Sequence, residues 1–169
     1  MVNYISIKFP NNITFISYKK LKPYFIAITN EQNIMRDIIS ITTTQREQLV
    51  DITQQITAVI NTSNIKNGIL SVYVQGATAA IMIQENWDDS VQTDVVNFLR
   101  KIIPKGVWLH DAQDGNGDAH LKAGLVGPSE TVPIINGKLG LSRWQNIFLC
   151  EFDGPRQQRQ IVCTVIEDD

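Results

Sequence analysis

The sequence predicts an α+β domain: a mostly antiparallel β-sheet sandwich with two main helices and one short helix. Three observations predict it. Alternating apolar runs of strand length recur from Met35 to Ile166. Only two long segments, at residues 52–60 and 90–102, carry apolar residues at helical spacing. An Asn136-Gly137 pair between two strand-like runs marks a tight hairpin. A length of 169 residues fits one domain with a sizeable core, and 43% hydrophobic against 19% charged residues is a globular balance.

Residues 1–34 are rich in Asn, Ile, Lys, Phe and Tyr and carry no sustained period. They read as a poorly packed N-terminal extension to a single domain at 35–169, with Met35 as a natural start; the alternative is an extra strand or two docked on that domain. Met35 to Thr44 alternates as a strand. Asp51 or Thr53 can cap a helix whose apolar face is Ile52, Ile56, Val59 and Ile60. Asn67-Gly68 ends that unit and opens a strand over Ile69–Gln75. Gly76-Ala77-Thr78 interrupts, and Ala79 to Gln84 resumes as a buried strand. A second helix starts near Ser90, with Val91, Val95, Phe98, Leu99 and Ile102 in one stripe, and Pro104-Lys105-Gly106 stops it. A short third helix, Ala119 to Leu125, ends before Gly127-Pro128. The hairpin pairs Val132–Ile135 with Lys138–Leu141. Gln145–Phe152 and Gln160–Ile166 are the last strands, joined through Asp153-Gly154-Pro155-Arg156.

A net charge of −2 argues against general nucleic-acid binding. No apolar run is long enough to span a bilayer; residues 12–28 come closest, but Lys19, Lys20, Lys22 and Pro23 interrupt them. No signal-peptide cleavage pattern follows the first segment. Cys150 and Cys163 lie in strand-like runs, without zinc or redox spacing, and read as reduced core thiols of a cytoplasmic protein.

Chemistry concentrates in one stretch. Both histidines fall in His110-Asp-Ala-Gln-Asp-Gly-Asn-Gly-Asp-Ala-His120-Leu-Lys122. A glycine-rich polar loop feeding a helix presents free backbone N–H groups, and imidazoles titrate near neutral pH or bind metals. Asn116, Gly117 and Asp118 belong to a segment able to cradle a phosphate, although Asp118 would repel it unless a cation lies between. His110 and His120 are the candidate metal ligands, for Mg²⁺ or Zn²⁺, though zinc takes three or four ligands and the spacing supplies two nitrogens. Glu85 ends a strand and is a candidate base; convergence of Glu85 with His110 and His120 at one sheet edge is expected. Glu151, on an otherwise apolar strand, needs a partner, with Arg156 and Arg159 nearby.

Several separated segments together carry a family resemblance: Gly115-Asn-Gly-Asp-Ala-His120-Leu-Lys-Ala, Gly127-Pro-Ser129, Pro133, Trp144-Gln145 and Leu149-Cys-Glu-Phe-Asp-Gly-Pro-Arg156, with Asp51-Ile-Thr53, Gly68 and Thr78-Ala-Ala80 before them. From about Met35 to Ile166 the chain resembles the YjbQ-like family. That resemblance implies an α+β fold, a homotrimer and the activity of a secondary thiamine-phosphate synthase, which joins a pyrimidine-methyl diphosphate to a thiazole phosphate and releases pyrophosphate. The family's polar pattern falls here on Glu85, His110, Asn116, Asp118, His120, Thr78, Gln145, Glu151 and Arg156. Many relatives read His-Thr-Thr where this chain has Gly76-Ala77-Thr78, so a three-histidine metal site is one ligand short.

The leading expectation is therefore a small-molecule enzyme in which His110, His120 and Glu85 do acid–base work. Thr78, Asn116, Gly117, Asp118, Lys122, Gln145, Glu151 and Arg156 would hold a phosphorylated small molecule. Mg²⁺, or Lys122 and Arg156, would neutralise a diphosphate leaving group. The rivals are a non-catalytic protein that holds a metal or phosphorylated metabolite, and a metal-assisted hydrolase.

Overall fold

The computed structural model describes residues 5–9, 12–16 and 33–168. The chain divides into two units, Met1–Asn30 and Glu31–Asp169. In the first, β1 (Ile5–Phe9) and β2 (Asn12–Ile16) pair antiparallel. The interrupted apolar run at 12–28 lies, beyond Ile16, outside the described residues.

The second unit starts its regular structure with β3 (Ile34–Thr43), followed by β4 (Gln48–Asp51), α1 (Thr53–Ser63), β5 (Gly68–Val74) and β6 (Ala79–Glu85). Then come α2 (Ser90–Ile102), α3 (Asp111–Asp114), α4 (Gly117–Val126), β7 (Ser129–Ile135), β8 (Lys138–Leu139), β9 (Gln145–Glu151) and β10 (Arg156–Glu167). A five-stranded sheet runs β3-β10-β5-β7-β8 and a three-stranded sheet runs β4-β9-β6, with every pairing antiparallel. β9 and β10 sit in different sheets, so the Asp153–Pro155 connection crosses between layers.

Alternation explains the layering. Leu70, Val72 and Val74 of β5, Val132 and Ile134 of β7, and Ile161, Cys163 and Val165 of β10 point inward. They meet Ile56, Val59 and Ile60 of α1 and Ile81, Ile147 and Leu149 of the smaller sheet. The opposite face of the smaller sheet, through Ala80, Cys150 and Phe152, packs on Leu99 of α2 and on Ala119 and Ala123 of α4. Asn136 and Gly137 take φ values of 52° and 75°, the left-handed pair that a two-residue hairpin turn requires. Asp51 does serve the start of α1: its Oδ1 accepts from the Thr53 backbone N–H and hydroxyl.

Two local expectations change. The polar segment after His110 folds one further helical turn, α3, with no buried residue to create a period. The α2 stripe is not a buried face: Leu99 is buried, whereas Phe98 and Ile102 are 60% and 44% exposed. Among the described residues no helix is long and apolar enough to cross a membrane.

The unit boundary falls four residues before Met35 because chain preceding β3 is tied to β10. Glu167 accepts from the Asn33 side chain and donates its N–H to the Asn33 carbonyl, and Ile34 pairs with Ile166. A chain starting at Glu31 is expected to melt within a few degrees of the full protein. One starting at Met35 loses these ties and should melt lower. Thermal denaturation followed by circular dichroism checks both, and a collapse of the Glu31 chain would make residues 1–30 part of the core.

Candidate functional site

The two histidines meet although nine residues lie between them. α3 and α4 are joined by Gly115, at φ 66°, and Asn116. This tight reversal is locked by Asp111, whose carboxylate accepts from the N–H groups of Trp108 and Gly117. Gly117 has no room for a side chain: a Cβ there would lie 2.9 Å from the Trp108 Cβ and 3.0 Å from the Asp111 carboxylate. The turn sets the His110 and His120 rings edge to face, with centroids 4.9 Å apart. His110 is exposed, and its Nε2 lies 3.9 Å from Asp114 Oδ2. His120 is half-buried and its Nδ1 lies 3.1 Å from the Ala77 carbonyl, in the loop before β6. A carbonyl accepts only, so Nδ1 carries the hydrogen and the neutral ring offers Nε2 as base or ligand.

Asn116, which opens α4 one turn before His120, is linked to Arg156 through Asp153. Asp153 Oδ2 accepts from Asn116 Nδ2 at 3.2 Å and from Arg156 Nη2 at 2.6 Å. The Asn116 Oδ1 is buried without a hydrogen-bond partner among the described residues. Arg156 is exposed, and its backbone N–H donates to Thr43 Oγ1. The Thr78 hydroxyl accepts from Arg159 and is not itself open.

Other predicted site residues sit elsewhere. Register pairs Ala79 with Glu151 and Glu85 with Gln145, so Glu85 and Gln145 occupy the far end of β6 and β9. Six residues of extended chain span about 20 Å, so this chain does not bring Glu85 to the histidines. Glu85 Oε2 is buried and unpartnered among the described residues, while Gln145 Oε1 closes a turn with Ser142.

Lys122, Asp118 and Glu151 are fully buried and held in ion pairs, which removes them from direct ligand contact. Lys122 Nζ donates to Glu47 Oε1 at 2.5 Å and Asp118 Oδ2 at 2.7 Å. Asp118 also receives both Arg46 Nη groups, and Glu47 receives Arg100. Glu151 receives Arg159 Nε at 2.8 Å and Nη2 at 2.6 Å, with Thr43 Oγ1 at 3.0 Å. Arg46, Glu47 and Asp153 were not among the predicted site residues. For Arg46 and Glu47 the only sequence signal is that a buried Lys122 and Asp118 must find partners; Asp153 lies within the Leu149–Arg156 motif.

Burial pushes the Asp118 and Glu47 carboxyls up, but hydrogen bonds outweigh it, from Arg46 and Lys122 on Asp118 and from Lys122 and Arg100 on Glu47. Both end below their ordinary values. A depressed carboxyl stabilises the fold above its unfolded value, and that stability is lost as pH falls through the folded value. The urea midpoint should therefore be level above about pH 5 and drop below about pH 4. A midpoint unchanged down to about pH 3 would contradict the ion-pair account.

Desolvation pushes the Cys150 thiol up to about 12, and desolvation with Asp37 pushes Cys163 up to about 11. Both remain protonated core groups, as their strand positions imply. Among the described residues no three His, Cys, Asp or Glu side chains group to hold a metal ion. His110 and His120 supply two nitrogens, fewer than a zinc centre takes. Both nearby Asp111 oxygens are already engaged, as is Oδ2 of Asp153.

Comparison with known proteins matches residues 37–168 to the family described as UPF0047 protein YjbQ-like. UPF0047 protein MJ1081 of Methanocaldococcus jannaschii is 48% identical over 128 residues, covering 76% of this chain and 91% of that protein. UPF0047 protein YugU of Bacillus subtilis is 38% identical over 125 residues, covering 72% and 92%. Among solved structures, a YbjQ-like protein of unknown function from Sulfolobus solfataricus superposes with a TM-score of 0.78 at 36% identity, covering 81% of this chain and 99% of that one. A hypothetical protein from Aeropyrum pernix K1 gives 0.75 at 32%, covering 79% and 99%. The match spans both sheets and every residue of the histidine site, and the chain belongs to the YjbQ-like family, UPF0047.

Proposed function

We propose that the histidine site is an active centre for a phosphorylated small molecule. The reaction is transfer of a pyrimidine-methyl group from its diphosphate to a thiazole phosphate, in a cytoplasmic homotrimer. The observation that carries this reading is the orientation of His120. Its Nδ1 is committed to the Ala77 carbonyl, so Nε2 is left to take or hold a proton. Arg156 and His110 supply N–H donors for a leaving diphosphate. His120 Nε2 orients the acceptor; the thiazole ring nitrogen forms a C–N bond to the pyrimidine-methyl carbon as the C–O bond to the diphosphate breaks, and pyrophosphate leaves with that electron pair.

Turnover tests this. The purified chain is incubated with the diphosphate donor and thiazole phosphate, with each alone, and with a panel of other phosphomonoesters, with and without Mg²⁺ or Zn²⁺. Coupled product and pyrophosphate from the two substrates together are expected by mass spectrometry. Product from one substrate alone would identify a hydrolase. Binding without any turnover would identify a carrier. Light scattering at several concentrations should report three chains, and a monomer throughout would remove the trimer.

A further inference from the structure

We propose that Gly76 and Arg159 form an oxyanion subsite of the histidine site, in which Nη1 of Arg159 donates to a phosphate oxygen of the ligand. This rests on the phosphorylated-ligand reading above and adds the group that recognises the phosphate.

Arg159 is only 8% exposed. One edge of its guanidinium is fully used: Nε and Nη2 hold the two Glu151 oxygens, and Nη2 also donates to Thr78 Oγ1 at 2.8 Å. Nη1 has no hydrogen-bond partner among the described residues, and it is not among the atoms sealed from solvent without one. A planar guanidinium fixed along one edge is immobile along the other, so these two N–H donors are already aimed.

They are aimed at Gly76. A Cβ built on Gly76 would lie 2.7 Å from Nη1, closer than two non-bonded heavy atoms tolerate. The Gly76 backbone does not demand a glycine, because its φ lies outside the positive range. The missing side chain therefore has a spatial rather than a conformational consequence: it leaves the Arg159 donors uncovered. The place is also right. Gly76 directly precedes Ala77, whose carbonyl holds His120 Nδ1. A phosphate oxygen on Nη1 thus lies one residue along the chain from the group that orients His120. Glu151 already balances the Arg159 charge, and Asp153 that of Arg156, so the subsite contributes directed donors rather than net charge.

Isothermal titration of the full chain with inorganic pyrophosphate tests this. Wild type is expected to bind, Arg156→Ala to bind more weakly, and Gly76→Ala to lose about tenfold or more, the worth of a charge-assisted hydrogen bond. Circular dichroism checks that the variants are folded. Arg159→Lys keeps a cation on Glu151 while removing Nη1, and it should show the same loss if Gly76→Ala fails to fold. Binding by wild type that Arg156→Ala weakens, with Gly76→Ala and Arg159→Lys both unaffected, would overturn the subsite and leave the phosphorylated-ligand reading intact. No binding of pyrophosphate by wild type at millimolar concentration would overturn both.

Discussion

Lys122→Ala is expected to cost about 3–5 kcal/mol of folding free energy, a large part of what a domain of this size has. The lysine is 1% exposed and bridges two carboxylates from different elements, Asp118 on α4 and Glu47 just before β4. Truncation leaves both carboxylates buried, Asp118 with Arg46 alone and Glu47 with Arg100 and, at 3.6 Å, the shared Arg46. Arg46 on Asp118 is 30% exposed at its side chain and Arg100 on Glu47 is 54% exposed, so neither can move in to replace a sealed ammonium. Urea denaturation of Lys122→Ala beside Lys105→Ala, an exposed lysine, separates the effect from loss of charge; the control should stay within about 0.5 kcal/mol. A Lys122 variant as stable as that control would show that the network contributes nothing to the fold.

The second large effect is on rate. His120→Ala is expected to lower turnover on the order of 10²-fold or more, as for loss of a group that positions the reacting substrate, with the melting temperature nearly unchanged because His120 is only half-buried. Glu85→Ala should leave turnover near wild type, since Glu85 closes the opposite end of β6. Steady-state kinetics on both variants decides between the two placements. A comparable loss in Glu85→Ala would return the glutamate to the chemistry, and an unaffected His120→Ala would reduce the loop to a capped helix with two surface imidazoles.

Much of the fold was legible because strand alternation and turn chemistry are local. Met35–Thr43, the Asn136-Gly137 hairpin and the apolar face of α1 follow from neighbouring residues alone. α3 was not legible, because four polar residues with nothing to bury produce no period. The exposure of Phe98 and Ile102 was hidden because a helical stripe does not say how much partner surface awaits it. In the site, the histidine pair was legible from its crowding into one loop. Glu85 was misplaced for a geometric reason: sequence identifies a strand end but not which end of the sheet it reaches. Lys122 and Asp118 looked like ligand contacts because α4 is too weakly amphipathic to show which side is covered. Their partners, Arg46 and Glu47, lie more than seventy residues earlier in a turn that reads as solvated.

β9 is the one strand of the smaller sheet with a neighbour on each edge, and Ile147 through Phe152 are buried on both faces. Its amide hydrogens therefore exchange with solvent only when the whole domain opens, whereas those of α3, with no buried residue, exchange through local fraying. The histidine site thus joins two parts that run on different clocks. Arg159 is bonded to Glu151 at the end of β9 and to Thr78, and both stand ready before any ligand arrives, while His110 heads the α3 turn. Part of the ordering entropy of binding falls on that turn, so substitutions that stiffen Asp111–Asp114 would tighten binding without touching the ligand.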